Sequence, residues 1–264
     1  MRYCKFEADG VAQYALVEER NGELWAVKAM AAPEEDATVS LTSAGVGFEP
    51  KPLAKLKLLA PVSPSKIVCI GRNYKDHAAE LGSDVPKEPL LFLKAPSSLL
   101  APGAAIQRPV QSHRVDFEGE LGIVIGKRCY QIGADEDVRQ YIRGYTCVND
   151  VTARDLQKSD GQWSRAKGFD TFCPVGPVVT DGIDPLDGSV AVHTQLNGET
   201  KQQGATREMI FPVAELLRYI TAAMTLEPGD LIPTGTPAGV GPMQAGDVVR
   251  VTVEGIGSLE NTVI

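Results

Sequence analysis

With 264 residues, 43% of them hydrophobic, the chain can bury about three quarters of its unfolded surface, enough for one large core and a small accessory domain. Thirty-four acidic against 26 basic residues give a net charge of -8, which argues against nucleic acid as a partner, because holding a phosphate backbone depends on Lys and Arg. No stretch approaches the roughly 18 uninterrupted apolar residues of a membrane span, and the N-terminal MRYCKFEADG has no apolar targeting segment, so no membrane is expected. Cys4, Cys69, Cys129, Cys147 and Cys173 are widely spaced, odd in number and without a CxxC pair. They suit buried thiols in a reducing compartment, and a cytoplasmic location is expected.

In chain order, Tyr14–Glu19 and Glu23–Ala29 flank Asn21-Gly22, a dipeptide suited to the positive φ angles of a type I′ hairpin. A small β-rich N-terminal domain, residues 1–62, is expected. It ends at the Pro- and Ser-rich stretch Pro61-Val62-Ser63-Pro64-Ser65, which favours an extended linker. The second domain, 63–264, has short β-type runs at Lys66–Ile70, Leu90–Lys94, Leu121–Ile125, Tyr145–Asn149, Val175–Val179, Val190–Leu196, Leu231–Pro233 and Val248–Val253. Asn197-Gly198 marks a second hairpin. The strongest helix is Pro212–Met224, where Val213, Leu216, Leu217, Ile220 and Met224 form one stripe and Pro212 fits the first helical position. The fold class is mainly β with a few helices, α+β rather than alternating βαβ.

Gly71-Arg72-Asn73-Tyr74-Lys75-Asp76-His77-Ala78-Ala79-Glu80-Leu81-Gly82 reads as a short helix with Asn73 as N-cap and Gly82 as stop. His77 and Glu80 then share a face at spacing three. A carboxylate that fixes the tautomer of a His suits it to deprotonating water, although a surface His beside a surface Glu has the same spacing. His113 and His193 lack comparable partners.

In Val115-Asp116-Phe117-Glu118-Gly119-Glu120-Leu121, strand alternation aims Asp116, Glu118 and Glu120 to one side. The pattern fits the solvated face of an edge strand. It equally fits a site for a hard cation, since crowded like charges need neutralising and Mg2+ or Mn2+ takes oxygen ligands. No His or Cys lies beside them, which disfavours zinc. Further on, Asp150 falls where a strand gives way to a helix, as an N-cap or as another acid of such a site. Arg154 and Gln157, three apart on that helix, suit a carboxylate ligand or an ordinary polar surface. Lys167 is uninformative alone. Thr234-Gly235-Thr236-Pro237-Ala238-Gly239-Val240-Gly241 lacks the ending of a nucleotide P-loop, but its amides and the Thr236 hydroxyl can approach a carboxylate.

In order, GRNYKDHAAELG, EPLLFLKAPSSL, DFEGELGIVIGKR, GYTCVNDVTARDLQ, AKGFDTFCPVGPVV and TGTPAGVGPMQAGD resemble the fumarylacetoacetate hydrolase family, especially its short acylpyruvase and oxaloacetate decarboxylase members. The resemblance implies a mixed β-roll, usually a homodimer, with one Mg2+ or Mn2+ per subunit. It implies Glu118, Glu120 and Asp150 as metal ligands, with Asp116 orienting them. It places a His77–Glu80 dyad on a lid helix, Lys167 as a catalytic residue, and Arg72, Tyr74, Arg154, Gln157 and Thr236 at substrate-binding or electrostatic positions. The further aspartate ligand of the larger fumarylacetoacetate hydrolases has no counterpart, which disfavours fumarylacetoacetate itself. The expected activity is metal-dependent carbon–carbon cleavage of a small 2-oxo acid, foremost hydrolysis of an acylpyruvate to pyruvate and a carboxylic acid. Alternatives are oxaloacetate decarboxylation, isomerisation or decarboxylation of hydroxylated dienoic diacids, and non-catalytic binding of a small acid or metal.

Overall fold

The computed structural model describes residues 1–37, 39, 48–80, 82 and 84–264; Leu81 of the GRNY stretch lies outside them. The chain begins with β1 (Arg2–Ala8), β2 (Val11–Arg20), β3 (Glu23–Met30), β4 (Lys51–Pro52) and β5 (Lys57–Leu59). Then come β6 (Ile67–Gly71), α1 (Lys75–Glu80), β7 (Leu90–Lys94), β8 (Leu99–Leu100), β9 (Ala105–Ile106), β10 (Val115–Phe117) and β11 (Gly119–Ile125). Next are β12 (Ile142–Asn149), β13 (Thr152–Ala153), α2 (Arg154–Asp160), α3 (Ser164–Lys167) and β14 (Cys173–Thr180). The last are β15 (Ala191–Leu196), β16 (Glu199–Ala205), α4 (Val213–Ala223), β17 (Leu231–Pro233), β18 (Gly241–Pro242), β19 (Val248–Val253) and β20 (Gly257–Val263).

The mainly β fold expected from the sequence is observed. Among the described residues, one large sheet runs β4-β3-β2-β1-β14-β12-β11-β17-β6-β7. A five-stranded sheet, β16-β15-β19-β20-β9, packs over its β11, β12 and β14, and β13-β10-β18 forms a small third sheet. Both Asn-Gly turns adopt the positive φ that the hairpins require, at Asn21-Gly22 and Asn197-Gly198. The junction expected at residues 62 and 63 is crossed by the large sheet, because β1 pairs antiparallel with β14 through Arg2–Thr180 and Tyr3–Val179. Asp230, fully buried, fixes the end of the linker by accepting from the backbone and hydroxyl of Ser65 and from Lys66.

Three local expectations are corrected. Pro212 is the N-cap of α4, with extended ψ of 159°, so the helix begins one residue later. Asn73 does not cap α1; its side chain accepts from Phe211 N–H and donates to the Phe211 and Thr234 carbonyls, tying three loops together. The run Val115–Ile125 is two strands, not one: the chain leaves the small sheet after Phe117, turns at Glu118 and enters the large sheet at Gly119.

Gly119 makes that transfer possible. A Cβ there would lie 1.9 Å from the Thr194 hydroxyl oxygen and 3.2 Å from Val251. Gly119→Ala is expected to destabilise the protein by about 3 kcal/mol, the upper part of the overpacking range, read as a lower urea midpoint at unchanged slope.

Candidate metal and active site

β11 lies between β12 and β17 in the interior of the large sheet, which excludes the solvated-edge reading of its acids. Asp116, Glu118, Glu120 and Asp150 are each at most 3% exposed. The turn at Glu118 is held by Asn149, whose side-chain oxygen accepts the Glu118 N–H, while Asp150 N–H donates to the Glu118 carbonyl. These bonds bring the end of β12 against the start of β11. Asp150 is not an N-cap; α2 begins at Arg154 and its N-cap is Ala153. One carboxylate oxygen from each of Glu118, Glu120 and Asp150 lies within 4.8 Å of the other two.

Each acid has one oxygen engaged by a different protein donor. Arg154 donates to Glu118 Oε1 at 2.6 Å, Lys94 to Asp150 Oδ1 at 2.6 Å, and Gly235 N–H to Glu120 Oε2 at 2.8 Å. Lys167 Nζ bridges the remaining oxygens of Glu118 and Asp150, at 2.8 and 2.6 Å. Burial alone would raise the Glu118 pKa, but Lys167, Arg154 and His77 outweigh it and hold that carboxyl well below the usual range. Burial would lower Lys167, yet Asp150 and Glu118 raise it, so its ammonium form is favoured. Glu120 differs. Burial, then the charges of Asp150 and Glu118, push its carboxyl well above the ordinary value, and no cationic side chain contacts it among the described residues. A buried cluster of hard oxygen donors with one under-neutralised member fits a small divalent cation. Among the described residues the cluster comprises these three carboxylates, and burial pushes the Cys173 thiol up to about 12.

His77 is 3% exposed, with Nδ1 3.2 Å from Glu80 Oε2. Glu80 also accepts the Gly239 N–H, at 3.1 and 3.2 Å to its two oxygens. The glycine-rich loop therefore applies its amides to two of the protein's own carboxylates, Glu80 and Glu120. The Thr236 hydroxyl donates to the Gly119 carbonyl and accepts from Gln202, and Arg154 divides its guanidinium among Asp116, Glu118 and Gln157. Tyr74 is buried, and its hydroxyl has no hydrogen-bond partner among the described residues. Arg72 has φ of 55°, and its guanidinium stands 5.6 Å from the Trp163 ring centre.

Sequence reasoning overlooked Lys94, Asn149 and Gln202. Only Lys94 left a signal: it alternates with Phe92 on one side of β7, so a lysine occupies an inward position. At Gly239, φ is +102° and an added Cβ would lie 1.9 Å from the Lys201 carbonyl oxygen. Gly239→Ala should displace the amide from Glu80, reducing turnover about tenfold or more while leaving metal affinity within about threefold, as calorimetry and initial rates would show.

Comparison with known proteins decides the family. The family described as fumarylacetoacetate (FAA) hydrolase C-terminal matches residues 66–264. The chain belongs to the fumarylacetoacetate hydrolase family. Within it, a Mycobacterium tuberculosis protein is 50% identical over 214 residues, covering 81% of this chain and 80% of the relative. Oxaloacetate tautomerase YisK of Bacillus subtilis is 42% identical over 224 residues, covering 80% and 74%. The crystal structure of 2-hydroxyhepta-2,4-diene-1,7-dioate isomerase from Mycobacterium marinum superimposes with a TM-score of 0.85 at 42% identity, covering 100% of this chain and 98% of that one. Members of the family are enzymes acting on small oxo acids.

Proposed function

We propose that this fumarylacetoacetate hydrolase-family enzyme isomerises a small 2-oxo diacid between its keto and enol forms, using a divalent metal. The observation that carries the reading is a buried His77 held by the more exposed Glu80 and within electrostatic reach of Glu118, one of the clustered carboxylates. Glu118, Glu120 and Asp150 would hold the ion, Mg2+ or Mn2+ by the hardness of their oxygens, one per subunit. When bound, it supplies Lewis acidity toward a 2-oxo acid. His77 removes or returns the proton on the carbon beside the keto group, and Glu80 stabilises its imidazolium form. The Lys167 ammonium faces the negative charge that develops on the substrate oxygen. The names of two similar proteins, a tautomerase and an isomerase, point in the same direction.

Hydrolysis of an acylpyruvate is a second reading, favoured by the same dyad, because a His oriented by a carboxylate also activates water. Oxaloacetate decarboxylation shares the enol product and needs no water attack. Arg72, Tyr74, Arg154, Gln157 and Thr236 are assigned to binding or orienting the substrate. The edge strand β7 leaves Leu90 and Leu93 exposed, which supports a homodimer, and five buried unbridged thiols support a cytoplasmic setting. Residues 1–62 would be accessory to the catalytic region 63–264.

The test assays purified protein with Mn2+, Mg2+ or EDTA. Keto–enol exchange and pyruvate release are followed with oxaloacetate, and pyruvate release with acetylpyruvate and fumarylpyruvate. Metal-dependent exchange faster than pyruvate release supports isomerisation. Dominant release of pyruvate from acetylpyruvate supports the hydrolase instead, and no turnover of any 2-oxo acid leaves only the non-catalytic binder.

A further inference from the structure

Lys94 is 2% exposed at the inner end of β7, and its ammonium donates to Asp150 Oδ1 at 2.6 Å and to the Val151 carbonyl at 3.2 Å. β7 pairs only with β6 in the described sheet, so this contact also ties the sheet edge to the end of β12. A buried lysine is costly unless paired, and here it is paired with a carboxylate of the candidate metal site. Its place matches that of Arg154, which engages one oxygen of Glu118, and of the Gly235 amide, which engages one oxygen of Glu120. The oxygens these three donors leave are Glu120 Oε1 and the two that Lys167 bridges, Glu118 Oε2 and Asp150 Oδ2.

We infer that Lys94 is a positioning residue that locks Asp150 into one-oxygen coordination and so makes the site select small, six-coordinate cations over Ca2+. The inference rests on the metal-binding reading of Glu118, Glu120 and Asp150. Its physical basis is the difference between the ions. Mg2+ demands short, near-octahedral coordination and is served by single oxygens, whereas Ca2+ accepts six to eight oxygens and gains from carboxylates that offer both. An ion taking one oxygen of Asp150 competes with Lys167 on Oδ2, whereas an ion taking both competes with Lys94 on Oδ1 as well and would leave that buried ammonium only the Val151 carbonyl. Phe92, on the same side of β7, adds to the arrangement: the Lys167 ammonium lies 4.8 Å from its ring centre. One strand thus meets both cations that contact Asp150.

The test measures Mn2+ and Ca2+ dissociation constants by calorimetry on the full chain for wild type, Lys94→Met and Lys94→Gln. Removing a positive charge strengthens binding of both doubly charged ions alike, so it leaves their ratio unchanged; removing the lock changes the ratio. In Lys94→Met, the preference for Mn2+ over Ca2+ is expected to fall about 10-fold or more, the scale on which partners of metal ligands act. Lys94→Gln retains an N–H donor for Oδ1 without the charge and should keep the ratio within about threefold of wild type. Thermal melting of each metal-free variant checks folding, and if Lys94→Met does not fold, the wild-type ratio carries the decision, because wild type that binds Ca2+ as tightly as Mn2+ overturns the lock. An unchanged ratio in Lys94→Met, or a ratio in Lys94→Gln that collapses, overturns the lock. Wild type that binds neither ion overturns the metal reading itself, a result distinct from either.

Discussion

Glu120→Gln is expected to weaken Mn2+ binding by about 100-fold or more and, at the same time, to make the metal-free protein more stable. The two effects share one cause. Glu120 is buried beside Asp150 and Glu118, and the Lys167 charge and the Gly235 amide do not outweigh them, so its charge is unfavourable until a cation arrives. An amide keeps a carbonyl oxygen for the Gly235 N–H, removes the charge and loses the anionic ligand. The gain in the metal-free state should be on the order of 1–3 kcal/mol where wild-type Glu120 is ionised. The sign with pH follows from the raised carboxyl. Its stabilising contribution is full below the unfolded-state value and is lost as pH climbs through the folded-state value, so the advantage of the Gln variant grows with pH. For the same reason Mn2+ should raise the wild-type melting temperature more at about pH 8 than at about pH 5.5. Melting curves with and without Mn2+ at both pH values check this, and a Gln variant stabilised by Mn2+ as much as the wild type would remove Glu120 from the ligand set.

His77→Ala should behave in the opposite way, sparing Mn2+ affinity to within about threefold while lowering kcat by about 100- to 10,000-fold, the range for loss of a general base. The histidine touches Glu80 and influences Glu118 only through space, so the carboxylate cluster keeps all its hydrogen-bond partners without it. Glu80→Gln should lie between, at about 10- to 100-fold, because an amide still accepts from Gly239 but no longer stabilises the imidazolium. Calorimetry and initial rates separate the two columns of effect. Full turnover by His77→Ala would end the dyad's assignment as proton carrier.

Much of this protein was determined locally. The Asn-Gly turns, the short β-type runs and the apolar stripe of α4 are set by φ preferences and periodicity within a few residues, and those elements form close to where the pattern placed them. The order of six motifs was enough to imply the family. Composition also anticipated that no described helix is long and apolar enough to cross a membrane.

What the sequence left undecided depended on contacts between distant segments. Whether Glu118 and Glu120 face solvent or each other turned on β11 lying between β12 and β17, and on the chain changing sheets at Glu118; alternation within one strand carries no information about its neighbours. Asp150 could be a helix cap or a member of a cluster until Asn149 and the Glu118 backbone fastened β12 to β11 across 31 residues of chain. The three donors that fix the acids come from α2, from the end of β7 and from the glycine-rich loop, and lysines 94 and 167 look like any others in a linear reading. A buried charge declares itself only through the partner that makes its burial tolerable, and that partner is supplied by the tertiary fold.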